Sequence, residues 1–115
     1  MQTLSSNRPD VDVPAASYTP APGPTNAELG RAIRRLRRAR RMTIEGLAHA
    51  ADMHPTYLSG IERGVRNPTW SKLTDLAGGL EVPLAEIVRD AEAEAQLEAR
   101  MRIARAELGI SERFS

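Results

Sequence analysis

The segment 43–68, TIEGLAHAADMHPTYLSGIERGVRNP, constrains the fold of this chain more than any other stretch. Leu47, Ala48 and Ala51 give its first half an apolar helical face, and Leu58 and Ile61 give its second half another. The join, Ala51-Asp52-Met53-His54-Pro55, is too short for a linker and carries its own start signal. Pro55 suits the first position of a helix, because its missing N–H would be unbonded there anyway and its φ is already helical. His54 is then the expected N-cap. Asp52 falls at the turn, where a left-handed backbone is often needed and Asp tolerates one better than most residues. Gly64 reads as the stop of the second helix, and Asn67-Pro68 as the next turn. Two short helices joined by a tight turn are the expected centre of the molecule.

The flanks supply the remaining helices. Thr25 and Glu28 form a capping box, each side chain able to satisfy a free backbone N–H at the start of a helix that reaches about Arg40. Leu29, Ile33 and Leu36 make its buried stripe, while Arg31, Arg34, Arg35, Arg38, Arg40 and Arg41 cover its other faces. Thr43 caps the first helix of the central pair, and its N-terminal amides can hold a phosphate. Thr69 caps a helix over 70–78 whose stripe is Trp70, Leu73, Leu76, Ala77 and Leu80, which places the single tryptophan in the core. Val82-Pro83 opens a fifth helix that returns Leu84, Ile87 and Val88 to the core. Beyond it, residues 90–108 are rich in Ala, Glu and Arg, with Gly109 as a natural stop. Leu84, Val88, Ala91 and Ala95 share one face; Leu97, Met101, Ala104 and Leu108 share another, displaced by about a third of a turn. A straight helix with two apolar faces and a break near Asp90 explain this equally well. Either way the second stripe needs a cover.

Charge is unevenly placed. Residues 26–72 hold ten Arg or Lys against four Asp or Glu, a net of +6, whereas residues 73–115 hold five against nine, a net of −4. A basic domain followed by an acidic segment is expected if only the basic domain faces a polyanion. Residues 1–24 contain five prolines and no periodicity, so a disordered arm is expected there; its one arginine, Arg8, is too little for a minor-groove role.

Leu47-Ala48, Tyr57-Leu58-Ser59, Ile61-Glu62-Arg63-Gly64 and Asn67-Pro68, at these spacings, resemble the helix-turn-helix of the Cro/phage-repressor (Xre-like) family. The resemblance covers about 29–87, half of the chain. It implies an all-α fold: a five-helix repressor-like domain over 25–90, with an extra C-terminal helix over 91–109 and a tail over 110–115. It also implies that the third helix, 55–63, enters the DNA major groove. Carried over position by position, it makes Pro55, Thr56, Tyr57, Ser59 and Gly60 the base-contacting residues. Arg38, Thr43, Arg63, Arg66 and Asn67 become the phosphate contacts, and Arg37 and Glu62 an ion pair tying the first helix to the third. Tyr57 has packing over the core as an equal alternative. The family commonly has a glutamine where this chain has Ile44, which offers no hydrogen bond to the DNA backbone.

The functional expectation is a sequence-specific, double-stranded DNA-binding transcriptional regulator, acting as a homodimer through Leu97, Met101, Ala104 and Leu108. The alternative is an antitoxin-like module whose C-terminal helix covers a protein partner and whose DNA binding serves autoregulation. The chain has no cysteine, and His49 and His54 lack the company needed for a metal site. With no phosphate loop or nucleophile–base pair either, neither an enzyme nor a cofactor is expected. No apolar run has the length of a membrane span and no signal peptide is visible at the N-terminus, so a cytoplasmic location without membrane contact is expected.

Overall fold

Small polar caps decide where the helices begin. In the computed structural model, which describes residues 23–109, α1 (Asn26–Ala39) starts behind Thr25, whose Oγ1 accepts the Glu28 N–H at 3.3 Å while Glu28 Oε1 accepts the Thr25 N–H at 2.8 Å. The hydroxyls of Thr43 and Thr69 open α2 (Ile44–Ala50) and α4 (Trp70–Leu80), accepting the Gly46 N–H at 2.9 Å and the Lys72 N–H at 3.1 Å. Between them, α3 (Pro55–Glu62) has Pro55 at its first position and His54 as cap, with Nδ1 accepting the Thr56 N–H at 3.0 Å. Only α5 (Leu84–Glu107) starts without a side-chain cap. Asp52 takes the left-handed conformation at the α2–α3 turn (φ 56), and Gly64 does so after α3 (φ 81).

One core joins the five helices. Ile33 and Leu36 of α1, Leu47 and Ala48 of α2, Leu58 and Ile61 of α3, Leu73, Leu76 and Leu80 of α4 and Ile87 of α5 form a single buried cluster. α1 lies antiparallel along α5 and crosses α3, while α2 packs on α3 and α4. The α1–α3 crossing depends on Gly30. A Cβ on Gly30 would lie 2.5 Å from the Glu62 carbonyl oxygen and closer still to that of Ile61, so only glycine lets the two backbones approach this far.

Several expectations change. α4 continues through Gly78-Gly79 to Leu80, because Gly79 packs on α2 with its Cβ position only 3.1 Å from Leu47 Cδ1, and tertiary contact offsets the weak propensity of glycine. Glu81, left-handed at φ 60, ends the helix instead, its carbonyl accepting a 2.9 Å bond from Arg40 Nη2. Trp70 is 70% exposed and not in the core: it is the first residue of α4, and the buried stripe begins only at Leu73. Val88 is likewise exposed while Ile87 carries the contact.

The domain boundary at 90 falls inside an element. α5 runs unbroken for 24 residues, about 36 Å, so the expected extra C-terminal helix is the outer half of the fifth. Its sequence contains neither Gly nor Pro to break it, and Gly109 (φ 77) follows its end. The expected arm and tail lie outside the described residues, except for Gly23 and Pro24.

Candidate nucleic-acid interface

α3 divides its residues between anchoring and display. Leu58 and Ile61 are fully buried, so the helix is held by its inner side. Thr56 and Arg63 are exposed, Ser59 is half-buried, and Arg63 Nε lies 3.5 Å from Ser59 Oγ one turn away. Pro55 is half-buried at the leading end, and Tyr57 is half-buried against the core. Gly60 differs from its expected place on the open face. It is buried, covered by the Arg66 and Val65 side chains.

The orientation of α3 is fixed by a charged latch. Arg37 of α1 donates from Nε to Glu62 Oε2 at 2.7 Å and from Nη2 to Glu62 Oε1 at 3.0 Å, and its Nη1 donates to the Met42 carbonyl at 2.8 Å. Both side chains are nearly buried. The hydrogen bond to Glu62 holds the guanidinium pKa above its ordinary value against the opposing effect of burial. With fork and carboxylate matched and the remaining donor used on a carbonyl, removal of either partner strands a buried charge.

The remaining residues expected at phosphates lie outside α3. Arg38 in the last turn of α1, Thr43 at the start of α2, and Arg66 and Asn67 in the loop after α3 are all exposed. The arginines that cover the outer faces of α1 separate into two groups. Arg31 and Arg35 both donate to the Glu94 carboxylate of α5, Arg35 also lies 3.7 Å from Asp90, and Arg40 pairs with Glu81 at 3.4 Å. All six are exposed, but these three are engaged by carboxylates, whereas Arg34, Arg38 and Arg41 form no ion pair among the described residues. The Arg35 hydrogen bond, aided by Arg31, keeps the Glu94 carboxyl below the usual carboxylate range. Ile44 is partly buried against the core, which gives its departure from the family pattern a packing role.

The outer half of α5 ends in the open. Leu97, Met101 and Leu108 are exposed, as are Ala104 and, on a different side of the helix, Ile103. Among the described residues, no helix is long and apolar enough to cross a membrane, and no group of three or more His, Asp or Glu is placed to hold a metal ion.

Two residues escaped the reading of the sequence. Gly30 sets the α1–α3 crossing and Glu94 gathers two arginines of α1. A glycine interrupting a strong helix pattern was a signal for the first. Nothing local marks Glu94 among the many glutamates of its helix.

The profile of a family described as "Helix-turn-helix domain" matches residues 28–89, more than half of the chain. The immunity repressor protein of Bacillus phage phi105 is 37% identical over 60 residues, a match that spans 52% of this chain and 42% of that protein, so the chain covers under half the length of this curated relative. Among solved structures, the clp gene regulator ClgR of Corynebacterium glutamicum superposes with a TM-score of 0.66 at 30% identity, over 74% of this chain and 93% of that one. The restriction-modification controller protein C.AhdI of Aeromonas hydrophila does so with a TM-score of 0.53 at 31% identity, over 54% and 94%. This chain is a member of the helix-turn-helix domain family in its Cro/phage-repressor (Xre-like) form.

Proposed function

We infer that this chain is a sequence-specific regulator of transcription that binds double-stranded DNA with α3 in the major groove. The observation that carries this reading is the construction of α3: locked from within by Leu58, Ile61 and the Arg37–Glu62 latch, it displays Thr56 and Ser59 beside the exposed Arg63 and Arg66. Such a face is too small to enclose a substrate, but it matches the width of a groove that admits one helix. The names of the relatives, a repressor, a gene regulator and a controller protein, support regulation as the purpose of binding.

In this reading Thr56 and Ser59 meet base edges, Pro55 and Tyr57 border them, and Arg38, Thr43, Arg63 and Asn67 contact phosphates. The exposed stripe of Leu97, Met101, Ala104 and Leu108 joins two copies. One α3 spans only a few base pairs, and a two-fold dimer placing two such helices about 34 Å apart suits half-sites one DNA turn apart. The test contrasts two substitutions. Ser59→Ala should relax preference at one base pair by about 1 kcal/mol, whereas Arg38→Ala should weaken all duplexes alike and lower the slope of log affinity against log salt by about one. Site selection and salt titration measure these effects. An unchanged site for the first and an unchanged slope for the second would remove both residues from the interface.

A further inference from the structure

A glycine in the middle of the helix that meets the groove is costly, at about 1 kcal/mol relative to alanine, and calls for a spatial reason. At about 100° per residue, position 60 falls on the same side of α3 as Thr56, Ser59 and Arg63. A side chain there would ordinarily reach outward with theirs. Instead the space is taken. A Cβ on Gly60 would lie 2.5 Å from Arg66 Cγ, 3.5 Å from Arg66 Cβ and 3.6 Å from Val65 Cγ2.

The backbone brings Arg66 to this place. After the left-handed turn at Gly64, the N–H groups of Val65 and Arg66 both donate to the Gly60 carbonyl, at 2.9 and 3.1 Å. The chain therefore folds back on α3, and the stem of Arg66 lies across the helix where the side chain of residue 60 would stand. Arg66 as a whole remains exposed. Its stem is seated by packing and its backbone by a hydrogen bond, which lowers the entropy lost when the guanidinium is engaged.

We propose that Arg66, seated over Gly60, reads a base in place of the missing side chain at position 60, its guanidinium fork donating to O6 and N7 of a guanine in the major groove. This replaces the expectation of a phosphate contact for Arg66, and it rests on α3 entering that groove. A phosphate contact needs only a charge on the rim. A stem packed on Gly60 starts from the face of α3 that carries Thr56 and Arg63, and guanine is the base whose two acceptors match its fork.

The experiment is selection of bound duplexes from a randomised pool by the wild-type chain, Arg66→Ala, Gly60→Ala and the double variant, with thermal unfolding of each as a folding control. Arg66→Ala should lose preference for guanine at one position of each half-site by roughly tenfold while the neighbouring positions keep theirs. Gly60→Ala, which displaces the stem although the arginine is present, should lose the same preference. The double variant should be no worse than Arg66→Ala alone, because the two changes act on one contact. Affinity lowered by one factor for every duplex in Arg66→Ala, with the selected site unchanged, would assign the residue to phosphate and overturn the proposal. A wild-type chain that selects no sequence would instead overturn the groove reading beneath it.

Discussion

The stripe of α4 and the outer stripe of α5 are built from similar residues at similar spacing, yet they end in opposite circumstances. Leu73, Leu76, Ala77 and Leu80 are between 0 and 9% exposed, whereas Leu97, Met101 and Leu108 are 52, 45 and 74% exposed. The difference lies in what stands opposite. The α4 stripe meets α2 and the rest of the core, and Gly79 lets the two helices close together. The inner half of α5 is covered by α1, through Ile87 and Ala91 and through the Arg31–Glu94–Arg35 cluster. α1, however, begins at Asn26, and its first turn reaches only the level of Ala95, Ala99 and Arg102, which line the same cleft as Thr25 and Glu28. Leu97 and Met101 lie at that same level but on the opposite face of α5, turned away from α1, and Leu108 lies beyond it. Periodicity declares that a face is apolar; it does not say whether the partner is in the same molecule.

This contrast predicts that changes in the covered region register as lost folding stability and changes in the uncovered stripe do not. The largest effect belongs to the latch. Glu62→Gln keeps the shape of the side chain but leaves Arg37 buried without its counter-charge, and should lower unfolding free energy by about 3 to 5 kcal/mol. Urea denaturation checks this, and a midpoint equal to wild type would mean that the latch contributes nothing to holding α3.

A smaller effect belongs to the cluster that carries α5 along α1. Because the Glu94 carboxyl is held below its unfolded range, chiefly by Arg35, its contribution is present above the ordinary glutamate pKa of about 4.3 and disappears as pH falls through the lower folded value. Arg31 and Arg35 are about half exposed, so solvent screening limits the contribution to roughly 1 kcal/mol or less. Glu94→Gln should therefore be slightly less stable than wild type at pH 7, and the gap should close in acid. Thermal melts of the two proteins from pH 7 down to pH 3 measure it; a gap independent of pH would point to packing instead.

The smallest effect on folding belongs to the uncovered stripe. Leu97→Glu combined with Met101→Glu should leave the unimolecular stability of the domain within about 0.5 kcal/mol, as expected of exposed positions, while abolishing the proposed self-association. Light scattering separates the two quantities. A wild-type chain that is monomeric at high micromolar concentration would end the dimer reading, and a double variant that melts far lower would show that the stripe is covered within its own subunit.

Much of the central motif was legible because its signals are local. Thr25 with Glu28, Thr43, Pro55 behind His54, Asp52 and Gly64 each act on backbone groups within a few residues, so their effect on where helices start and turn can be read from neighbours in the chain. The Arg37–Glu62 contact, 25 residues apart, was expected only because the surrounding motif resembles a family that has it. Spacing misleads where packing outside the helix itself decides exposure. Trp70 matches the spacing of a buried stripe but stands one turn before the core begins, and Gly60 matches the spacing of an open face but lies beneath a loop that returns to cover it.

By itself, then, the sequence determined five capped or proline-led helical starts, their apolar faces and the basic-to-acidic division of the chain, because these depend on backbone hydrogen bonding and side-chain polarity over a few residues. Only the tertiary structure decided which arginines of α1 are consumed by carboxylates, that α5 runs unbroken past the end of α1, and that Arg66 takes the place of a side chain at Gly60. The first two outcomes depend on distances between segments far apart in the chain, which come into being only when the core closes, and the third on how the short loop after Gly64 folds back on α3.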